Sequence, residues 1–327
     1  MNFPLTFLAL FKVASSATVS VPSQKDYQLL QSSLKEFIAT NGEDPSRNIP
    51  LLVRLSFHDL SLIDGSNGMG PKGCLIEKSI QEIKDNAGLA PIVSQLATFV
   101  GQKFPSTPYS FGDVVSLAGK VAVETAYPCM QIKWSYGRSK CHITTPGEIP
   151  GGNITTLAQL QPFLNRYGLD ANEMAVLIAG AHGIKNAKAN NENSGFGTQV
   201  FSGFSSGMNW IDVTFKLPWL KPRNSDAFFA NDPFPLSVPI MRIPIDLAFF
   251  PSVAKKNDGF PDDHFDETEQ FLKSFTTQPR SVFDQEFEKV YSKMLNIGVD
   301  PSQMVAFAEP PNLHVPCPEF VPGHFGG

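Results

Sequence analysis

Apolar side chains recurring every three to four positions are the feature that most limits how this chain can fold. Tyr27, Leu30, Leu34, Phe37 and Ile38 form one such stripe, Leu89, Ile92, Val93, Leu96, Phe99 and Val100 a second, and Val114, Leu117, Ala118 and Val121 a third. A helix with one apolar stripe is stable when that stripe is covered, so each predicts a partner surface. Leu157, Leu160, Phe163 and Leu164 continue the pattern, and Phe283, Phe287, Val290, Tyr291 and Met294 form a last stripe before Gly298. Asp170 with Glu173 is a capping pair opening a helix that carries Met174, Leu177, Ile178 and Ala181 and ends near His182-Gly183. Strand-like alternation is scarce, so the predicted fold is all-α.

Other features narrow the class. A chain of 327 residues with 42% hydrophobic side chains can bury a large core. A net charge of -5, without clustered Lys and Arg, excludes nucleic acid and anionic membranes as partners, and no apolar run is long enough to cross a bilayer. Residues 186–263 are rich in Asn, Gly, Pro and Phe and show no helix longer than a few turns. Irregular chain of that length usually wraps something, and a large flat ligand offers such a surface. Residues 1–17 pair an apolar core with the small residues of Ala14-Ser15-Ser16-Ala17, which predicts a cleaved secretory signal and an extracellular protein. Four cysteines then suit two disulfides, and local spacing favours Cys129 with Cys141, leaving Cys74 for Cys317. Asn153-Ile154-Thr155 is a sequon that export would make glycosylatable.

Three patterns carry chemistry. Arg54 and His58 are four apart at the end of the apolar run from Ile49 to Leu55, so on a helix they share a face, with Phe57 beside them. The pair alone is common on solvated helices. Leu177-Ile178-Ala179-Gly180-Ala181-His182-Gly183 ends an apolar helix in a histidine preceded by small residues, which let a planar group approach. Ile243-Pro244-Ile245-Asp246 places a carboxylate in an apolar run, where it needs a partner such as the N–H of a ligand histidine.

Together these residues resemble the non-animal haem peroxidase superfamily, and the resemblance spans roughly Tyr27 to Val299. Arg54, Phe57 and His58 are similar to that family's distal Arg, aromatic and His. Asn86-Ala87-Gly88-Leu89 is similar to its distal Asn motif, His182 to its proximal ligand, and Asp246 to the carboxylate behind that ligand. Ser110-Phe111-Gly112-Asp113 through Glu124, with Tyr136-Gly137-Arg138, is similar to its central helix and the turn after it. The order agrees, with 64 residues from His182 to Asp246. The resemblance implies a two-lobed all-α fold, with a domain over residues 24–300 (distal lobe about 24–140, proximal lobe about 141–300) and a Pro-rich tail over 301–327. It implies haem b between the two histidine helices and hydrogen peroxide as oxidant. His58, oriented by Asn86, serves as the base that moves the peroxide proton, Arg54 stabilises the developing negative charge, and Asp246 gives His182 imidazolate character.

Departures from the family pattern set the expected subclass. Phe57 resembles the secreted branches, where intracellular members usually carry Trp. Asn193-Ser194-Gly195-Phe196 resembles the intracellular branch but lacks the Trp expected shortly after, and Phe196 or Phe201 is expected in that space. Asn193 replaces an ascorbate-contacting Arg, and Arg47 and Leu51 stand where a manganese site needs acids. The resemblance also raises a calcium held by Asp59, Asp64 and Ser66, though Gly183 lacks the hydroxyl expected at a proximal calcium. Ile149-Pro150 resembles the segment that contacts aromatic donors, so small phenolic reductants and a monomeric enzyme are expected. The rivals are a non-catalytic extracellular haem-binding scaffold and an intracellular-type peroxidase using ascorbate or a protein donor.

Overall fold

The predicted stripes become helices whose apolar faces close on one another. The computed structural model describes residues 21–40, 45–61, 70–105, 108–141, 150–184, 207–216, 228–230, 240–254, 266–297, 299 and 305–308. In chain order these residues form α1 (Gln24–Thr40), α2 (Pro45–Ser61), α3 (Lys78–Gln81), α4 (Ala90–Lys103), α5 (Phe111–Ala126), β1 (Ser135–Tyr136), α6 (Leu157–Tyr167), α7 (Ala171–Ile184) and α8 (Gly207–Lys216). They continue with β2 (Phe228–Ala230), β3 (Ile240–Arg242), α9 (Pro244–Ala248), α10 (Pro251–Ala254), α11 (Asp266–Phe275), α12 (Arg280–Leu295) and β4 (Val305–Ala306). Two 3-10 turns, Cys74–Ile76 and Lys84–Asn86, join α2 to α4 on either side of α3. The fold is all-α. Its described strands make two short antiparallel pairs, β1 with β4 and β2 with β3.

Helix α5 is the axis of the first half. Its start is fixed by a reciprocal cap: Ser110 Oγ accepts from the Asp113 amide at 3.0 Å, and Asp113 Oδ2 accepts from the Ser110 amide at 3.1 Å. Almost every side chain along it is buried, against α2 on one side and α1 on another. Gly119 permits this approach, because a Cβ there would lie 2.5 Å from Ser56 Oγ and 2.8 Å from the Tyr291 hydroxyl. Lys120, wholly buried, is paired with Glu124 one turn on.

The second half is built around α7, which packs on α6, α8, α11 and α12. Its start carries the predicted capping pair, with Asp170 Oδ1 accepting from the Glu173 amide at 2.7 Å and Glu173 Oε2 accepting from the Asp170 amide at 3.0 Å. The halves meet where α2 touches α7 and α12, and there Ser56 Oγ and the Tyr291 hydroxyl share a hydrogen bond of 2.8 Å. Residues 305–308 fall in the segment expected as a tail, yet they pair with β1 and place Phe307 flat on Tyr27, ring centroids 4.7 Å apart. Tyr27 in turn stacks on Trp134 at 5.5 Å.

The expected cysteine pairing is corrected. Cys74 is bonded to Cys141, and Cys129 is disulfide-bonded as well. The reason is the direction of the chain. Cys129 follows the C-terminal end of α5, whereas Arg138 has returned to its N-terminal end, where its guanidinium meets Asp113 at 3.3 Å. A helix of 16 residues is about 24 Å long, so Cys129 and Cys141 lie at opposite ends of it despite their short separation. Gly73, beside Cys74, packs at that same N-terminal end: it has φ +76, and a Cβ on it would lie 2.6 Å from the Gly112 amide.

Candidate active site

Helix α2 presents Arg54, Phe57 and His58 along one face, as their spacing predicts. The turn Lys84–Asn86 lies opposite and holds the polar pair. His58 Nδ1 meets Asn86 Oδ1 at 2.8 Å, and the Asn86 amide is oriented by donating Nδ2–H to the Ile80 carbonyl at 2.8 Å. An amide oxygen only accepts, so His58 carries its proton on Nδ1, and its Nε2 bears the lone pair that can act as a base. Arg54 donates Nε–H toward that nitrogen at 3.3 Å. Its outer nitrogens donate to the carbonyls of Asp85 at 2.7 Å and Ala87 at 2.9 Å, so one turn fixes both the base and the cation.

The electrostatics follow from enclosure. Burial pushes the His58 imidazole down to about 3, and the Arg54 charge pushes in the same direction against the Asn86 hydrogen bond. His58 is thus neutral throughout the neutral range. Arg54 is lowered to about 10, again by burial, and stays cationic. His58 keeps part of its surface accessible while being strongly desolvated, as for a side chain lining an internal gap. Phe57 stands beside it, T-shaped to both His58 and Tyr167 at centroid distances of 6.0 and 6.4 Å.

The other imidazole comes from the last turn of α7. His182 Nδ1 meets Asp246 Oδ1 at 2.7 Å, and Asp246 Oδ2 accepts from the Ile243 amide at 2.9 Å, which caps the short α9. Asp246 is buried, whereas the His182 side chain is 26% exposed. The helices that carry the two histidines, α2 and α7, pack on each other. With each Nδ1 held from behind, chemistry at either ring falls to its Nε2.

Pro150 is half-buried beside this region, and the next residues join it directly: the Gly152 carbonyl accepts from the Ile245 amide at 3.1 Å. Phe196, Asp64, Ser66, Asn193 and Phe201 lie outside the described residues. Both carboxylate oxygens of Asp59 are engaged by backbone amides. Its carboxylate, buried, accepts from the amides of Gly73 at 2.8 Å and Leu75 at 3.3 Å, and burial raises it to about 6 against those bonds. Among the described residues no cluster of His, Cys, Asp and Glu is arranged to hold a metal ion. Sequence reasoning missed Arg242, a buried cation four residues before Asp246; its signal was a single Arg inside the apolar run from Ile240 to Ile245.

An all-α frame that opposes two imidazoles, one backed by a neutral amide beside a cation and the other by a carboxylate, defines the class: a haem peroxidase type of centre. The sequence profile of the family described as Peroxidase matches residues 31–215. The chain belongs to this family, within the non-animal haem peroxidase superfamily, and is a peroxidase. It is 26% identical over 291 residues to a protein of Cryptococcus neoformans var. neoformans named "Putative heme-binding peroxidase", covering 84% of this chain and 79% of that one. It is 25% identical over 285 residues to a mitochondrial cytochrome c peroxidase of the same fungus (85% and 69% covered), and 27% identical over 297 residues to one of Yarrowia lipolytica (85% and 77%).

These relatives overturn the expectation of a secreted protein, because proteins matching over most of the chain are named as mitochondrial. Residues 1–17, on which that expectation rested, lie outside the described residues, and glycosylation of Asn153, itself exposed, loses its basis with it. Among the described residues no helix is long and apolar enough to cross a membrane.

Proposed function

We propose that the chain reduces hydrogen peroxide at a haem b held through His182 Nε2, with His58 and Arg54 acting on the opposite side. What supports this most is the pairing of the imidazoles: both have Nδ1 engaged by a side-chain oxygen, at 2.8 Å for His58 and 2.7 Å for His182, which assigns the chemistry to the two Nε2 atoms. The donor set fits a haem, since a neutral imidazole backed by a buried carboxylate suits an axial iron ligand. When bound, the haem supplies an iron that accepts a peroxide oxygen and exchanges single electrons.

His58 Nε2 takes the proton of the near peroxide oxygen and hands it to the departing one, which leaves as water. The base is ready because its conjugate acid forms only near pH 3. Arg54 faces the charge that builds as the O–O bond lengthens, and its two carbonyl contacts keep it aimed there. Asn86 keeps the His58 tautomer correct, and Phe57 covers the flank of the ring. Asp246 fixes the orientation of His182 and strengthens its donation.

For the reductant, small phenolic donors reaching the edge near Pro150 are the first proposal. A protein donor is the second, favoured by the names of the cytochrome c peroxidases that resemble the chain. The same names, with disulfides that need an oxidising space to form, favour an oxidising compartment inside the cell. Protein reconstituted with haemin should show a Soret band that His182→Ala abolishes; a band unaltered by that change ends the proposal. Steady-state turnover with guaiacol-like phenols and with ferrocytochrome c in parallel separates the two donors.

A further inference from the structure

Arg242 is the bulkiest of the fully buried side chains, 2% exposed, and it is a cation. An isolated guanidinium is costly to bury, so its surroundings must answer its charge. Asp246 is an acidic group whose charge opposes the effect of that burial. The geometry fixes the two together. Arg242 ends β3, its Nε donates to the hydroxyl of the fully buried Thr214 on α8 at 3.2 Å, and the peptide N–H of the next residue, Ile243, is the one that binds Asp246 Oδ2. Asp246 is therefore bound through one oxygen by the peptide N–H that follows Arg242 and through the other by His182.

We propose that Arg242 is a positioning residue that tempers the proximal ligand: its buried charge draws the negative charge of Asp246 away from His182 and so limits how much the imidazole donates to the iron. The inference rests on the haem reading above and deepens it. The role assigned to Arg242 is exerted through Asp246. A carboxylate behind an axial histidine stabilises the ferric state, so a compensating cation shifts the balance back toward the ferrous state.

The test is the ferric/ferrous midpoint potential of haem-loaded protein, read by a spectroscopic redox titration. Arg242→Gln is expected to lower it by about a tenfold change in the ferric/ferrous ratio, ~59 mV for one electron, while Arg242→Lys keeps the wild-type value. In an Asp246→Asn background the Gln substitution should move the potential little, because the group it acts through is gone. An unchanged potential in Arg242→Gln overturns the proposal, and so does a shift that persists undiminished in the Asp246→Asn background. Should the Gln variant fail to take up haem, Arg242→Met, which removes the charge while keeping much of the side chain's length, carries the test: a lowered potential supports the proposal and an unchanged one overturns it. Failure of the wild-type chain to bind haem, or binding that survives His182→Ala, sinks the haem reading instead, so the two failures are distinguishable.

Discussion

The two halves of the site use the same imidazole in opposite ways. On α2 the ring is held by a neutral amide and crowded by a cation, so it resists protonation and its free nitrogen is open to act as a weak base in the proposed chemistry. On α7 the ring is held by a carboxylate, itself braced by the Ile243 amide, an arrangement that would make its other nitrogen a better donor to a metal. The chemistry of a histidine here is set by the atom behind it. An amide oxygen orients without adding charge, whereas a carboxylate orients and adds charge.

The largest test of that contrast is His58→Ala, which should leave haem bound through His182 but slow the peroxide-driven spectral change ~10²–10⁴-fold, the usual worth of general acid–base help. Rapid mixing reads it, and a rate equal to wild type removes His58 from the mechanism. Next comes an exchange of the partners' character. Asn86→Asp gives the distal ring the carboxylate its counterpart has, and a charged partner must raise its proton affinity. In the wild type the peroxide reaction should stay flat from neutral pH down to an acid limb near 3, where His58 gains its proton; in the variant that limb moves upward. A pH–rate profile decides between them.

Stability offers two smaller tests. Removing the distal half's covalent tie with the Cys74→Ser, Cys141→Ser pair opens a loop of 67 residues, which should lower unfolding free energy by about 2–4 kcal/mol in a denaturant titration while leaving the haem potential unmoved. The depressed His58 also predicts an effect of sign. The unfolded chain takes up that proton near pH 6.5 and the folded one only near 3, so stability falls as pH drops through this window. His58→Gln should therefore gain on wild type at about pH 5 and match it above about pH 7, a difference in melting temperature that vanishes if the ring protonates freely in the fold.

Local order in the chain made the distal side legible. Arg54 and His58 lie one helical turn apart, so their shared face is read locally, whereas their role and that of Asn86 rest on family resemblance. His182 and Asp246 are 64 residues apart, and their union came from family resemblance. What failed depended on the path of the backbone. The cysteine pairing was misjudged because nothing local reveals that the chain runs back along α5 after Cys129. Helix α8, hidden in a stretch rich in Asn, Gly and Phe, went unseen, and with it the Thr214 hydroxyl that anchors Arg242. The amides bound to Asp59 were equally invisible; Asp64 and Ser66, raised with it for a calcium, lie outside the described residues.

The pairing of β4 with β1, and the flat contact of Phe307 with Tyr27, join the last described residues to the first helix. Gln24 completes the closure, exchanging hydrogen bonds with the backbone of Ala308. During synthesis the chain emerges from its amino end, so Tyr27 can meet Trp134 well before Phe307, the other ring stacked on it, has been made. The packing around α1 is thus begun early and completed only by the last described residues.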